Sequence, residues 1–357
     1  MRSSTSIEHG PPAAASVPGH DVPWRAFVRR FLGTLAAALL FTAGLNYLVN
    51  PESNYSIEIL PPLTWNTRPA KARMMEQAQP RSQALILGSS RIMKIEPAMV
   101  ERLTGLPAFN VGVNTAMTED YYILLRYAVE RAHLPLKLVI IGVDVDAFHN
   151  REPLDNYLLQ PNPLASYLQK GEARHAQWKR FTTLFNGYQT KLSFVSLWDS
   201  LIHKRKAAYH FEADGYLHFD QYEAERATGH YDLEGKISAN VEQYLRRYEG
   251  FDKLSPERLD YFDRTLRYGR DHGFRMIVFL TPTHPRLIAA LQARDYAHRQ
   301  EEVLAAVKSR CAQYGVPFHD LSTLDTFGGL PQDFFDGIHP NEVNSAKITN
   351  VLLAPGS

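Results

Sequence analysis

Ser89 and Ser90 follow an apolar run, Ala84-Leu85-Ile86-Leu87, and one glycine, Gly88, in the stretch ALILGSSRIMKIEP (residues 84–97). Near the other end of the chain stand Asp336 and His339, spaced Asp-x-x-His and only 18 residues from the last one. A hydroxyl, an imidazole and a carboxylate are the parts of an activated serine. The hydroxyl attacks a carbonyl, the imidazole takes its proton, and the acid fixes the imidazole. The reaction also needs donors aimed at the oxyanion that forms, and backbone N–H groups near Ser90 and Gly112 are the candidates. From residue types alone either serine is eligible, and GSSR reads equally well as a plain strand-to-helix turn.

Side chains so far apart in sequence must be collected by a fold. An open parallel sheet does this, because ligands and nucleophiles gather outside the carboxyl ends of its strands. The chain has the required rhythm. QALILG and LKLVIIGVDV read as apolar strands buried on both faces, PAFNVGV as a strand or strand end, and FRMIVFLTP and VPFHDLS as further strands, which together mean a parallel sheet. Between them lie helices. EPAMVERLTG has Pro97 in its first turn and Gly105 as a stop, and TEDYYILLRYAVERAH has Thr118 as its N-cap. SPERLDYFDRTLRYGRDHG has Ser255 as N-cap, Pro256 at the first helical position and Gly273 past its end. A long helical pattern with room for a break, RLIAALQARDYAHRQEEVLAAVKSRCAQYG, precedes the last strand, and a turn and a helix close the chain. Four loops then fall at one edge: 88–91, 110–114, 142–146 and 336–339.

The 357 residues carry a formal net charge of +1, which gives no global case for nucleic-acid binding. One cysteine, Cys311, excludes an intrachain disulfide, and its helical context reads as a buried, inert thiol. Residues 1–24 are rich in Ser, Pro, Ala and Gly and read as a disordered cytoplasmic tail. Residues 25–50 read as a transmembrane anchor, since Phe31 to Val49 is free of charge and Arg25, Arg29 and Arg30 precede it. The positive-inside rule then keeps the N-terminus in the cytoplasm and exports the remainder. A cleaved signal peptide and a buried soluble helix compete. The first lacks an Ala-x-Ala site, and the second would sit beside a disordered tail. Residues 51–80 are Pro-rich and polar, a tether with a short helix around Lys71–Gln77.

From about 150 to 250 the rhythm breaks. This aromatic-rich stretch reads as a mainly helical insertion with a hairpin turning at Asp214-Gly215. Lys170, Arg174, Lys179, Arg180, Lys191, Lys204, Arg205 and Lys206 face only Glu172 and Asp199 there. They form a solvated helix face or a patch for an anionic polymer or lipid head groups. Tyr157, Trp178, Tyr188, Trp198, Tyr209 and Tyr216 suit sugar stacking, and equally an ordinary core.

Taken together, the loop set resembles the SGNH (GDSL-type) hydrolase family over residues 84–148 and 275–350, but not over 150–250. Gly88-Ser89-Ser90 matches its first block, Gly112 in FNVGVN its second, and Asp336-Gly337-Ile338-His339 its last. The resemblance implies a flavodoxin-like three-layer α/β/α sandwich around a parallel sheet. It makes Ser90 the nucleophile, His339 the base, Asp336 the acid, and the Ser90 and Gly112 N–H groups oxyanion donors. No cofactor and no metal are expected. Membrane-anchored members often act in O-acetylation or deacetylation of exported polysaccharides. The implied protein is therefore an inner-membrane, periplasm-facing esterase or O-acyltransferase, with an acyl donor, a polysaccharide and envelope proteins as partners.

Two positions depart from the family pattern. Ser89 replaces the aspartate of the first block, which leaves the nucleophile untouched. Gly142-Val143-Asp144-Val145 replaces Gly-x-Asn-Asp, so Asp144 stands where the family has an amide donor, and an ionised carboxylate only accepts. Either Asp144 is protonated by burial and donates, or Asn114 or Asn110 supplies the amide, or the site is slow or dead. The last option makes the chain a non-catalytic accessory protein of an envelope or polysaccharide assembly.

The remaining candidates are weaker. His284 reads as a loop histidine satisfied by backbone, and Arg91 as the ion-pair partner of Asp144 or Asp146. Asp144, Asp146 and His149 lack the further ligands of a metal site. Gly328-Gly329 reads as a turn, since no Lys-Ser/Thr pair follows it.

Overall fold

The computed structural model describes residues 23–55, 57, 59–63, 67–78, 81–150, 163–167, 178, 181–203 and 209–354. Residues 1–22 of the expected tail lie outside these. So do Tyr157 and every residue of the expected basic patch except Lys191.

All five runs are strands of one parallel sheet. In chain order they are β1 (Ala84–Leu87), β2 (Ala108–Asn110), β3 (Leu138–Val143), β6 (Arg275–Leu280) and β7 (Phe318–Asp320). A two-stranded antiparallel hairpin, β4 (His210–Phe211) and β5 (Leu217–His218), falls between β3 and β6 in sequence. The sheet order is β2-β1-β3-β6-β7. Leu87 pairs with Ile141 and Val143 with Leu280, so the strands end nearly level. The order reverses at β1, so the carboxyl ends of β1 and β3 lie at the switch point of the sheet, where ligands of open α/β sheets gather.

Both faces of the sheet's centre are covered, which is why β1, β3 and β6 beyond Arg275 are apolar without alternation, whereas the edge strand β7, Phe-His-Asp, is only half-buried and ends exposed. On one face Leu85, Leu87, Val139, Ile141 and Val278 share a core with α4 (Thr118–Glu130), α8 (Pro256–Asp271) and α10 (Tyr296–Gln313). On the other, Ala84, Ile86, Ile140, Ile277 and Phe279 pack on Val100 of α3 (Pro97–Thr104) and on Ile348 and Leu352 of α11 (Glu342–Leu352). Burying one such Leu or Ile side chain stabilises by about 1.5–3 kcal/mol. Cys311 lies in the first of these cores, and burial pushes its thiol up to about 12.

Local signals mostly sit where the sequence puts them. Ser255 Oγ accepts from Arg258 N at 3.3 Å, Pro256 opens α8, and Gly273 follows with φ +72°. The long helical pattern breaks at Asp295, φ +56°, into α9 (Pro285–Leu291) and α10. The cap of α4 is Met117 rather than Thr118. The Asp120 carboxylate reaches back to Met117 N at 3.0 Å, which makes Thr118 the first helical residue.

The N-terminal helix α1 (Trp24–Val49) has 26 residues and is long and apolar enough to cross a membrane. At about 1.5 Å per residue it reaches roughly 39 Å. Much of the stretch read as a tether is built into the domain. In α2 (Arg68–Gln77), Arg68, Pro69, Lys71, Ala72 and Met75 are buried. Arg68 forms a bidentate pair with Asp120 at 2.6 and 2.7 Å, both side chains fully buried. The described part of the insertion includes a 3₁₀ turn, Pro163–Tyr167, then α5 (Gly187–Ile202), the β4–β5 hairpin, α6 (Asp220–Ala227) and α7 (Leu233–Arg247).

Candidate active site

Ser90 opens a single 3₁₀ turn, Ser90–Ile92, directly after β1. The hydroxyl of Ser89 caps that turn by accepting from Arg91 N at 3.2 Å. A short side-chain acceptor here does what an aspartate would do, so the departure at Ser89 has a local account. Ile92 seats the turn. Its side chain fills a socket made by Gly88, Gly112 and Gly142, one glycine from the end of each of three strands. A Cβ on Gly112 would stand 2.6 Å from Ile92 Cδ1, one on Gly88 would stand 2.9 Å from Ile92 Cγ1, and one on Gly142 would also strike Ile92. The three glycines therefore have a packing reason that involves no catalysis.

The opposing loop is as tightly held. Phe335 N donates to His339 O at 2.8 Å, and Asn341 N to Asp333 O at 3.0 Å. The insertion braces it: Gly337 N donates to Asn240 Oδ1 at 2.8 Å, and the Tyr231 hydroxyl to Phe335 O. From the other side His284 N donates to Gly337 O at 3.0 Å. His284 is buried, its Nδ1 accepts from Arg286 N, and burial holds its pKa below the usual range.

These two loops place three side chains in one chain of hydrogen bonds. Ser90 Oγ lies 2.8 Å from His339 Nε2, and His339 Nδ1 lies 2.7 Å from Asp336 Oδ2. The other carboxylate oxygen, Oδ1, accepts from the N–H groups of Ile338 at 2.8 Å and His339 at 2.9 Å. Burial pushes Asp336 up, but His339 and those two N–H groups outweigh it and hold the carboxyl below its ordinary value. An ionised Asp336 only accepts, so Nδ1 carries the proton and Nε2 presents a lone pair to the serine. The Phe219 ring, from the insertion, stands 5.6 Å from the imidazole.

The expected oxyanion donors are arranged unequally. The Ser90 N–H has no acceptor among the described residues. Gly112 N donates to Asn110 Oδ1 at 2.9 Å and would have to release that bond to serve. Asn110 spends its amide on Ile92 O and Ile95 O at 2.8 and 3.0 Å, so it staples the Ser90 turn to β2. Asn114 Oδ1 accepts from Thr67 N and Thr67 Oγ1, which leaves its Nδ2 with no acceptor among the described residues.

Asp144 belongs to a buried charged cluster that meets the Ser90 turn through the Ser89 hydroxyl. Its Oδ1 accepts from Thr281 Oγ1 at 2.5 Å, and Arg91 Nε lies 3.6 Å from Oδ2. Arg91 also meets Asp146 at 3.2 Å and Thr283 at 2.8 Å, as its ion-pair reading expects. Arg247 of α7 closes the set on Asp146 at 2.5 Å. Burial raises Asp144, and Arg91 offsets only part of that rise. Burial also acts on Asp146, but Arg247 and Arg91 together hold it below its ordinary value. His149 stands instead beside Arg258. Among the described residues no group of three or more His, Cys, Asp or Glu side chains is arranged to hold a metal ion.

Three contributors have no sequence signal of their own: Ile92 in its socket, Thr67 on Asn114, and Asn240 under Gly337. Among the aromatics named from sequence, Trp178, Tyr188 and Trp198 are exposed, and Tyr216 packs under Lys94 at 4.5 Å. Compared with protein-family models and with curated proteins, the chain matches none.

Proposed function

We propose that this chain is a membrane-anchored serine esterase or O-acyltransferase of SGNH-like type that works through an acyl-Ser90 intermediate. The observation that carries the reading is the unbroken relay Ser90–His339–Asp336 at 2.8 and 2.7 Å. Ser90 Oγ attacks an ester carbonyl while His339 Nε2 takes its proton. The Ser90 N–H receives the developing oxyanion, with the Asn114 amide and the Gly112 N–H as further donors. His339 then protonates the departing alcohol, and water or a second hydroxyl takes the acyl group by the reverse steps.

The strand order β2-β1-β3-β6-β7 supports a flavodoxin-like arrangement. The charge-free run after Arg25, Arg29 and Arg30 supports an inner-membrane anchor at residues 31–49, a cytoplasmic N-terminus and a periplasmic domain. The aromatic side chains Phe219, Tyr222 and Tyr231 beside the relay suit a sugar-bearing substrate, an acylated envelope or exported polysaccharide.

A second reading rests on the oxyanion side. Gly112 N–H is engaged and Asp144 is locked among Arg91 and Thr281, which favours an SGNH-like accessory protein that binds polymer or envelope partners without turnover. Labelling with a fluorophosphonate probe separates the two. The enzyme reading expects stoichiometric labelling of the wild type, none in Ser90→Ala, and at least about a 10³-fold slower rate in His339→Ala. A folded wild type that resists the probe, or a label that survives Ser90→Ala, ends the esterase reading.

A further inference from the structure

The helix α5 is inside out for a water-soluble protein. Its buried stripe is Gln189, Ser193 and Ser196, with Ser200 half-buried, at steps of four, three and four residues. The opposite face carries Tyr188, Phe194, Val195, Trp198, Leu201 and Ile202, between 40% and 71% exposed. A surface helix in water turns its apolar stripe inward. Small polar residues in a seam, with large apolar ones outward, are how helices pack in lipid.

The seam is made with α1. Asn46, fully buried, donates to Leu184 O at 2.9 Å and Thr190 Oγ1 at 3.0 Å, and accepts from Ser193 Oγ at 2.8 Å. Asn46 lies in the last turn of the charge-free run Phe31–Val49, so α5 meets α1 at the end where the chain leaves the apolar segment. The 16 residues of α5 reach about 24 Å, short of the roughly 30 Å core of a bilayer. Such a helix lies along a membrane rather than through it. Trp178, Phe181 and Phe185, all exposed, extend the same surface, and Trp and Tyr favour the head-group level. The one cation on the exposed face, Lys191, can extend its head to that level.

We propose that α5 and the aromatic residues before it are a second membrane element, seated in the domain-side leaflet of the bilayer that α1 crosses. The occupant of the exposed face is phospholipid acyl chain, continuous with the lipid around α1. The insertion thus fixes the height and tilt of the Ser90 site above the membrane, where a tether alone would let it wander. The inference rests on reading α1 as a membrane anchor.

The test uses the full chain in phosphatidylcholine–phosphatidylglycerol vesicles. Single cysteines are placed by Trp198→Cys, Leu201→Cys, Leu40→Cys in the middle of α1, and Glu242→Cys on the exposed side of α7, and labelled with the fluorophore NBD. The native Cys311 is buried, with its thiol pushed up to about 12, and stays unlabelled. Positions 198 and 201 are expected to lose at least half their fluorescence to doxyl-labelled lipid and to ignore aqueous iodide, as position 40 does. Position 242 is expected to behave oppositely. Iodide quenching at 198 and 201 equal to that at 242 overturns the proposal. Protection from both quenchers also overturns it, and gives the face to a protein neighbour. Failure of lipid quenching at position 40 removes the anchor and this inference with it, whereas quenching at 40 but not at 198 or 201 removes this inference alone.

Discussion

Ser90 and Arg91 are consecutive, yet they belong to two buried polar clusters built in opposite ways. Ser90 enters a relay with one formal charge, in which every link is a hydrogen bond between 2.7 and 2.9 Å. Arg91 enters a set of four formal charges, Arg91, Arg247, Asp144 and Asp146. Each cluster holds a carboxylate, and the two respond differently to the same burial. Asp336 is given two backbone N–H groups and an imidazole, and ends below its ordinary pKa. Asp144 must share Arg91 with Asp146, and ends above. Burial alone therefore does not decide a buried acid's state; Asp144 also stands beside the like charge of Asp146, and no such neighbour acts on Asp336 among the described residues. The relay keeps a proton that can move, while the charge cluster holds β3, the β6 loop and α7 in fixed register.

The largest effect that would break this contrast is at Asp336. Asn in its place keeps an Oδ1 for the Ile338 and His339 N–H groups, so the loop should stand. Its NH₂ then faces His339 Nδ1 and donates, which moves the imidazole proton to Nε2. A protonated Nε2 cannot accept from Ser90. Asp336→Asn is expected to slow fluorophosphonate labelling by about 10⁴-fold, near 5.5 kcal/mol in the barrier, with little change in thermal unfolding. A variant within tenfold of wild type would mean that Asp336 only shapes the loop.

The charge cluster predicts the reverse pattern, a loss of stability rather than of rate. Arg91→Met removes one cation and leaves Asp144 and Asp146 with Arg247 alone, all in a site at most 6% exposed apart from Arg247. Removing one partner of a buried pair costs about 3–5 kcal/mol. Urea unfolding of Arg91→Met at pH 7 is expected to show that loss. Since Arg91 N also donates to Ser89 Oγ, a bond the backbone retains, the Ser90 turn should survive where the variant folds. A loss under 1 kcal/mol would show that water already reaches these carboxylates.

The centre of the sheet was legible in the sequence because strands buried on both faces must be apolar throughout, as β1, β3 and most of β6 are, while the half-buried edge strand β7 was marked only by its place between helix signals. The relay was legible because acyl transfer restricts residue types severely, and Ser, His and Asp fell in loops that share one edge. Long-range polar contacts left no trace. Arg68 finds Asp120 across 52 positions, and no local pattern marks that pairing, so the sequence shows the short helix near Lys71–Gln77 but not that it is built into the domain. Gly112 reads from sequence as an oxyanion donor, but a socket for Ile92, shared with Gly88 and Gly142, explains it just as well, and only side-chain distances reveal that. In α5 the apolar residues were visible, but a sequence window gives their spacing and not which face is covered.

The smallest expected effect tests the electrostatic half of the contrast and uses pH. A carboxyl raised on folding binds more protons in the native state than in the unfolded one, so its contribution to stability is present below the unfolded value near 3.9 and is lost as pH rises through the native one. That is the direction for Asp144. Asp336 and Asp146, held down, act oppositely and lose their contribution as pH falls below about 4. Asn at position 144 cannot titrate. Relative to wild type, Asp144→Asn is therefore expected to gain stability as pH rises from about 4 towards 7, with a slope bounded at about 1.4 kcal/mol per pH unit. Fluorophosphonate labelling should change less than about threefold, because the Asp144 carboxyl is taken up by Thr281, Arg91 and the Ser89 hydroxyl, groups that an amide at this position still meets. A flat stability difference across that range would mean that Arg91 holds Asp144 as firmly as His339 holds Asp336. Labelling tenfold faster would instead place the Asp144 side chain against the oxyanion, and make the two clusters one site.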